Sequence, residues 1–208
     1  MKKYAETENI MENLTFKKLK KALIKLIDKK DYDKISVTDI VKECGFSRQN
    51  FYKNFENKDD LVKAIFTADI KTALDREILY HFGKTSVNII EVLDENKKLY
   101  LSVFCSSSSD YLYRLFFEYI CTMFKAFAEY SAYRNLSQKQ EKSLHFFASG
   151  LITMMIRLFS GKEKMSIREF SDLIYDSVPE CLRMFMSEDG VTGDYILYKL
   201  EKNLGRRI

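Results

Sequence analysis

Apolar residues recur along this 208-residue chain at intervals of three and four, almost from end to end. That is the period of a helix with one buried face. From about Met11 to Lys30, Leu14, Leu19, Leu23, Leu26 and Ile27 form one stripe, with Phe16, Ala22 and Ile24 alongside and lysines on the other faces. Asp31-Tyr32-Asp33 interrupts the pattern. Ser36 then caps a short helix with Asp39 at its third position and Ile40 and Val41 on its inner side. Cys44-Gly45 ends it, because glycine tolerates φ > 0. Ser47 caps a second short helix, RQNFYKNF, whose apolar side is Phe51 and Phe55. After a turn at Glu56-Asn57, Asn57 caps a long helix that opens Lys58-Asp59-Asp60. It continues through Leu61, Ile65, Phe66, Ile70, Leu74 and Ile78 to about Phe82, where Gly83 stops it.

The same spacing predicts two short helices next, VNIIEVLDEN from Thr85 or Ser86 and then KKLYLSVFC. A loop of serines, Ser106 to Ser109, leads into a long aromatic helix from about Asp110 to Tyr133. Ser137 caps a helix to about Ser160, ended by Gly161, whose centre HFFASGLITMMIRLF is apolar nearly all round. Ser166 caps a last long helix to about Ser187, and Pro179 must kink it or divide it. Residues 188–208 read as either a short helix or a loose basic tail. No strand pattern and no internal repeat is visible. The expectation is an all-α protein. An N-terminal three-helix helix-turn-helix unit, residues 1–57, is joined by a long helix to a C-terminal antiparallel helical bundle, together residues 58–208.

Composition narrows the class. With 46% apolar and 31% charged residues the chain is globular, and no run of eighteen uncharged apolar residues predicts a membrane span. The N-terminus lacks the apolar core of a secretory signal. Cys44, Cys105, Cys121 and Cys181 have no CxxC spacing and sit in helical patterns, as buried thiols of a reducing cytoplasm do. The two histidines, His81 and His145, are far apart, and no nucleophile elbow, phosphate loop or paired-carboxylate pattern is present. The expectation is therefore a cytoplasmic protein that is not an enzyme, with no cofactor and no metal.

Charge adds a partner. Leu14 to Lys58 holds twelve basic and six acidic residues, +6, in a chain whose net charge is +4. Basic charge is concentrated around the two short helices, as binding to phosphates requires. The lysines of the first helix suit a solvated face equally well. Arg48, Gln49, Asn50, Tyr52 and Lys53 lie on the outer side of the second short helix. An arginine, two amides, a tyrosine and a lysine are equipped to read base edges and hold phosphates. Lys58 makes sense there if it reaches outward to a phosphate. An all-helical protein-interaction module with a basic surface is the alternative.

The residues SVTDIV from Ser36, then GFSR from Gly45, FYKNF from Phe51, Asn57-Lys58 and Leu61 resemble the TetR family of bacterial transcription regulators. The resemblance covers about 48 residues. Beyond them the likeness is one of architecture, most similar to regulators of the kind that include dihydroxyacetone kinase activators. The resemblance implies that Arg48, Gln49 and Asn50 face bases, with Thr38 adding a contact from the preceding helix. It implies phosphate contacts for Tyr52, Lys53 and Lys58, and for Asn54, which stands where many members have histidine. It also implies binding of a palindromic operator by a homodimer, with repression as the simpler mode and activation as the alternative.

Two further expectations follow from the resemblance. The family senses a small-molecule effector between the long helix and the middle helices. Candidates for such a pocket are Phe66, Tyr100, Phe104, Tyr111, Phe116, Tyr119, Met123, Met154 and Met155, with Arg114, Glu118, His145 and Arg157 as polar residues to orient it. Each also reads as plain core or as a surface contact. The dimer would form through the last two long helices, with Phe146, Ile152, Ile156, Phe170, Leu173, Ile174, Val178 and Leu182 at the interface. Their apolar surplus supports this, since a monomer would expose it.

Overall fold

Four serines start helices in the way their spacing predicts. In the computed structural model, which describes residues 14–74, 79–80, 82–132, 135–186 and 191–207, each serine hydroxyl accepts a backbone N–H three residues on. Ser36 pairs with Asp39, Ser47 with Asn50, Ser137 with Gln140 and Ser166 with Glu169. At three of the four the later side chain reaches back to the serine N–H, closing a capping box.

The helices in chain order are α1 (Leu14–Ile27), α2 (Val37–Cys44), α3 (Arg48–Tyr52), α4 (Lys58–Leu74), α5 (Phe82–Glu95) and α6 (Lys97–Phe104). They continue with α7 (Ser109–Ala132), α8 (Gln138–Phe159), α9 (Ile167–Ser177), α10 (Glu180–Arg183) and α11 (Gly193–Arg207). A 3-10 turn, Tyr32–Lys34, lies between α1 and α2. Among the described residues the fold is all-α apart from one two-residue antiparallel pair, β1 (Leu79–Tyr80) with β2 (Val191–Thr192), in the register Leu79 to Thr192.

That pair corrects one expectation. The long helix that begins at Lys58 is not continuous to Phe82: its described part runs to Leu74, and residues 79–80 are extended. Gly83 does not stop a helix but lies in the first turn of α5. Pairing between residues more than a hundred positions apart leaves no trace in local periodicity. Pro179 divides the last helix into α9 and the four-residue α10, as its missing N–H requires. The start expected near Met11 and the tail residues 188–190 lie outside the described residues.

The chain packs as two compact units. The first is the described part of Met1–Ala68 together with Asn96–Leu112, and the second is Asp69–Glu95 with Tyr113–Ile208. Residues 96–112, expected in the second domain, thus pack with the first. In the first unit Phe16, Leu19 and Leu23 of α1 are buried with Ile40 and Val41 of α2, Phe51 of α3, Phe55, Leu61 and Ile65. The rings of Phe16 and Phe51 lie 6.4 and 5.7 Å from that of Phe55. Tyr100 of α6 meets Phe66 edge-on at 6.2 Å. In the second unit Leu93, Phe116, Phe127, Leu144, Phe147, Ile152, Phe170, Leu182 and Ile196 are buried.

Three consequences are measurable. Ser36→Ala removes the α2 cap and costs about 1 kcal/mol in urea denaturation at neutral pH. The Ser36 hydroxyl and backbone N–H hold the Asp39 carboxyl well below the ordinary carboxylate range. A depressed native value stabilises above the unfolded value of about 3.9 and is lost as pH falls through the native one. Asp39→Asn therefore lowers Tm at neutral pH, and the difference from wild type shrinks as pH is taken below about 4. Gly45 sits at φ 74°, and a Cβ there would meet nothing within 4 Å. Gly45→Ala costs about 1–2 kcal/mol through backbone conformation alone, read as a lower urea midpoint with unchanged slope.

Candidate nucleic-acid interface

A left-handed residue between two short helices turns the chain sharply, and here it is Gly45, whose N–H returns to the Lys42 carbonyl. Phe46 N–H bonds to the Val41 carbonyl at 2.8 Å. The turn delivers Ser47 as the N-cap of α3, with its hydroxyl 3.2 Å from Asn50 N. α3 is five residues long rather than the expected eight, and Lys53 and Asn54 follow it as a turn. Phe51 is fully buried and Phe55 nearly so, which orients the opposite side outward.

On that side Arg48, Gln49 and Lys53 are exposed, Asn50 is half-exposed, and Tyr52 keeps 48% of its surface in solvent. Residues spaced 48, 49, 52 and 53 share one face of a helical turn. The Arg48 guanidinium carbon lies 5.8 Å from the Tyr52 ring centroid, and the edge of Phe51 meets Tyr52 at 5.5 Å. Those contacts hold two long side chains in place before any ligand arrives. Thr38, on α2, is half-exposed. Asn54 turns back, its amide donating to the Asn50 carbonyl at 2.9 Å. One of its two donors is therefore spent on its own turn.

Lys58 departs most from expectation. Its ammonium does not reach outward. It donates to the carbonyls of Tyr32 at 2.7 Å and Ile35 at 3.1 Å, and lies 4.1 Å over the Tyr32 ring. Burial pushes its pKa below the ordinary lysine value, partly offset by Asp59 and Asp33. Tyr32 itself is fully buried, with its hydroxyl donating to Asp59 at 2.6 Å and its N–H to the Ser102 hydroxyl at 3.3 Å. Burial first, and then the Asp59 carboxylate, raises its phenol above the ordinary value. The other Asp59 oxygen accepts from Ser108 at 3.1 Å, and Asp33 accepts from the Ser107 hydroxyl at 2.7 Å and N–H at 3.1 Å. No pattern in the sequence singles Tyr32 out.

The positive segment is less positive at its surface than its count. Glu43 pairs with Lys25 and Lys29, Asp39 with Lys30 at 3.0 Å, Asp31 with Lys34 at 2.7 Å, and Asp28 with Lys98 at 2.7 Å. Lys18 lies 5.5 Å over the Phe46 ring. Between residues 14 and 58, Lys17, Lys18, Lys21, Lys42, Arg48 and Lys53 are exposed cations with no ion pair among the described residues.

The residues expected to form a pocket are divided. In the second unit α5, α7, α8 and α9 line a half-open cavity of about 80 Å3, bounded by Phe116, Tyr119, Met123 and Met155 among apolar neighbours and by Ser86. Phe66, Tyr100, Phe104 and Tyr111 belong to the first unit. Met154 and Glu118 are half-exposed and do not line the cavity. Arg114 and His145 are exposed, His145 beside Phe117 at 5.2 Å, and Arg157 is bound to Glu163 at 2.7 Å on the surface.

The interface list divides too. Ile152, Phe170, Ile174, Val178 and Leu182 are buried in their own unit, whereas Phe146 is 86% exposed, Leu173 40% exposed and Ile156 half-exposed. Helical period alone cannot tell a face turned to the chain's own core from one turned to a partner. Met184, and Tyr175, which was not singled out in the sequence, are also exposed.

The described cysteines are free thiols, and only Cys121 is buried, its pKa pushed up to about 12. Cys105 is exposed, contrary to the expectation of buried thiols throughout. No described helix is long and apolar enough to cross a membrane, and no group of three His, Cys, Asp or Glu among the described residues is placed to hold a metal.

Comparison with known proteins agrees with this geometry. Residues 19–65 match the family model described as bacterial regulatory proteins, tetR family, and residues 81–179 match a transcriptional regulator C-terminal region. Over 92 residues, 44% of this chain, it is 32% identical to the HTH-type dhaKLM operon transcriptional activator DhaS of Lactococcus lactis. Over 61 residues, 29% of the chain, it is 36% identical to the uncharacterized HTH-type transcriptional regulator YvdT of Bacillus subtilis. The matches span 49% and 31% of those relatives' own lengths. A solved structure of a dihydroxyacetone kinase operon activator, DhaS, superposes with a TM-score of 0.61 at 20% identity, covering 79% of this chain and 94% of that one. That likeness is one of fold. With both models matched along most of its length, and with the capped α2, the glycine turn and the exposed face of α3 lying inside the first, the chain belongs to the TetR family of bacterial regulatory proteins.

Proposed function

We propose that this chain is a transcription regulator that binds a palindromic duplex operator as a homodimer, and that a small-molecule effector tunes its affinity. The observation that carries the reading is the face of α3: Arg48, Gln49, Tyr52 and Lys53 exposed together over the buried Phe51 and Phe55. Arg48 donates a planar fork suited to guanine, and Gln49 and Asn50 carry amides suited to adenine. Thr38 adds a hydroxyl from α2. Tyr52 and Lys53 hold phosphates, and Asn54 retains one amide hydrogen for the same use. Cytoplasmic location follows from that partner.

Dimerisation rests on the exposed apolar side chains of α8, α9 and the segment after α10. Phe146 and Leu173 remain from the expected set, joined by Met184 and Tyr175. Exposed apolar groups mark an interaction surface where they form one patch, as the proposal takes these to do. A two-fold dimer presents two copies of α3 to successive turns of a duplex. The effector site in this reading is the cavity bounded by Phe116, Tyr119 and Met123, which at about 80 Å3 must widen to take a ligand of ordinary size. Coupling of about 1–3 kcal/mol between it and the operator is enough to switch occupancy.

Repression needs only occupancy of a promoter, which makes it the simpler mode. The relatives named as activators favour activation as the second reading. Selection of bound sequences from random duplexes, followed by a reporter assay on the selected site, separates the two by the direction of the change.

Arg48→Ala relaxes sequence preference by about 1–3 kcal/mol at one base pair. Lys53→Ala instead weakens all duplexes alike and makes the salt dependence shallower by about 0.9 in log–log slope. Competition binding at several salt concentrations measures both, and an Arg48→Ala protein with undiminished preference contradicts the assignment. The double variant Phe146→Asp, Leu173→Asp sediments as a folded monomer where wild type is a dimer. A monomeric wild type at micromolar concentration removes the dimer from the proposal.

A further inference from the structure

We propose that Lys58 is a positioning residue that sets operator affinity through the 32–35 loop, and that it makes no phosphate contact. The inference rests on the DNA-binding reading above and reassigns one of its residues.

The argument begins with donors. A lysine ammonium has three N–H groups and no acceptor. Two of the three are directed at the carbonyls of Tyr32 and Ile35, and the aromatic face of Tyr32 lies within 4.1 Å of the nitrogen. Hydrogen bonds to a charged donor are among the stronger ones in a protein, and a cation over an aromatic face adds to them. Swinging the ammonium outward to a phosphate would break both hydrogen bonds and the ring contact, and both carbonyls would lose a charged donor.

The position of those carbonyls gives the contact its effect. Tyr32 O also accepts from Ile35 N at 3.0 Å, closing the 3-10 turn, and Ile35 immediately precedes Ser36, the N-cap of α2. Lys58 therefore fixes the backbone at the point where α2 begins. From there the chain has little freedom: the capping box holds the first turn of α2, and the left-handed Gly45 and the Ser47 cap carry that placement into α3. The neighbouring residue, Asp59, holds the Tyr32 hydroxyl at 2.6 Å, so consecutive side chains of α4 clamp one loop residue from both ends. Base reading depends on side-chain geometry, whereas non-specific binding depends on charge. A loop that shifts α3 degrades the first and spares the second.

Full-length wild type, Lys58→Met and Lys58→Gln are compared for binding to a selected operator and to a random duplex of the same length. Binding is measured over a range of salt, at a temperature where circular dichroism shows each protein folded. Lys58→Met is expected to lose about tenfold in operator affinity, with the wild-type salt slope, unchanged affinity for the random duplex and a lower Tm. Lys58→Gln, which keeps N–H donors and loses the charge, recovers part of the loss at the same slope. It also carries the comparison alone if the methionine variant fails to fold. A slope shallower by about 0.9 in both variants, with both duplexes weakened alike, overturns the proposal in favour of a phosphate contact. Unchanged operator affinity overturns it as well. If wild type itself binds neither duplex, the DNA-binding reading falls and takes this one with it, a result distinct from any difference between variants.

Discussion

A helix of five residues cannot hold itself together in water, because nucleation costs more than so few hydrogen bonds return. α3 exists because Phe51 and Phe55 are buried against Phe16 and the rest of the first core. Burying one such ring is worth about 1.5–3 kcal/mol, far more than the propensity of the five residues. The same burial decides which side of α3 faces water. Everything attributed to Arg48, Gln49, Tyr52 and Lys53 follows from two phenylalanines four residues apart. A functional face is here the complement of a packing face.

Charge plays two parts in the first unit. Counted along the chain it looks like a broad basic patch, yet Glu43, Asp39, Asp31 and Asp28 neutralise much of it locally. Exposed pairs of that kind contribute little stability. Their effect is to thin the exposed positive field of residues 14–58 to Lys17, Lys18, Lys21, Lys42, Arg48 and Lys53. The polar node around Tyr32 is of another kind. Tyr32 at its centre is fully buried, and the partners around it bond to backbone as well as to each other, so they fix geometry. Through Ser102, Ser107 and Ser108, residues distant in sequence become part of the structure that carries α3.

The second unit repeats the division between core and surface at larger scale. α8 buries Leu144, Phe147, Ala148, Ile152 and Met155 on one side and exposes Phe146 on the other. α9 does the same with Phe170 and Ile174 against Leu173 and Tyr175. Such helices are apolar on more than one side because one side serves the chain itself. The cavity is almost free of polar groups, as the interior of a helical layer should be, and its flexible methionines, Met123 and Met155, leave it adaptable.

The sequence by itself determined the helices, their caps and the helix-turn-helix, because those depend on neighbours within four residues. Ser36 with Asp39, Gly45, Ser47, Phe51 with Phe55 and Pro179 each act locally, and each did in the structure what its type demands. What the tertiary structure alone decided lies between residues far apart in the chain. Leu79 and Tyr80 pair with Thr192 and Val191 where periodicity had continued a helix to Phe82. The carbonyls of Tyr32 and Ile35 turned Lys58 inward. Packing divided the expected interface and pocket residues among the core, the cavity wall and the surface. A hydrophobic period specifies that a face must be covered, and only the folded chain specifies by what, because an apolar side chain carries no address for its partner.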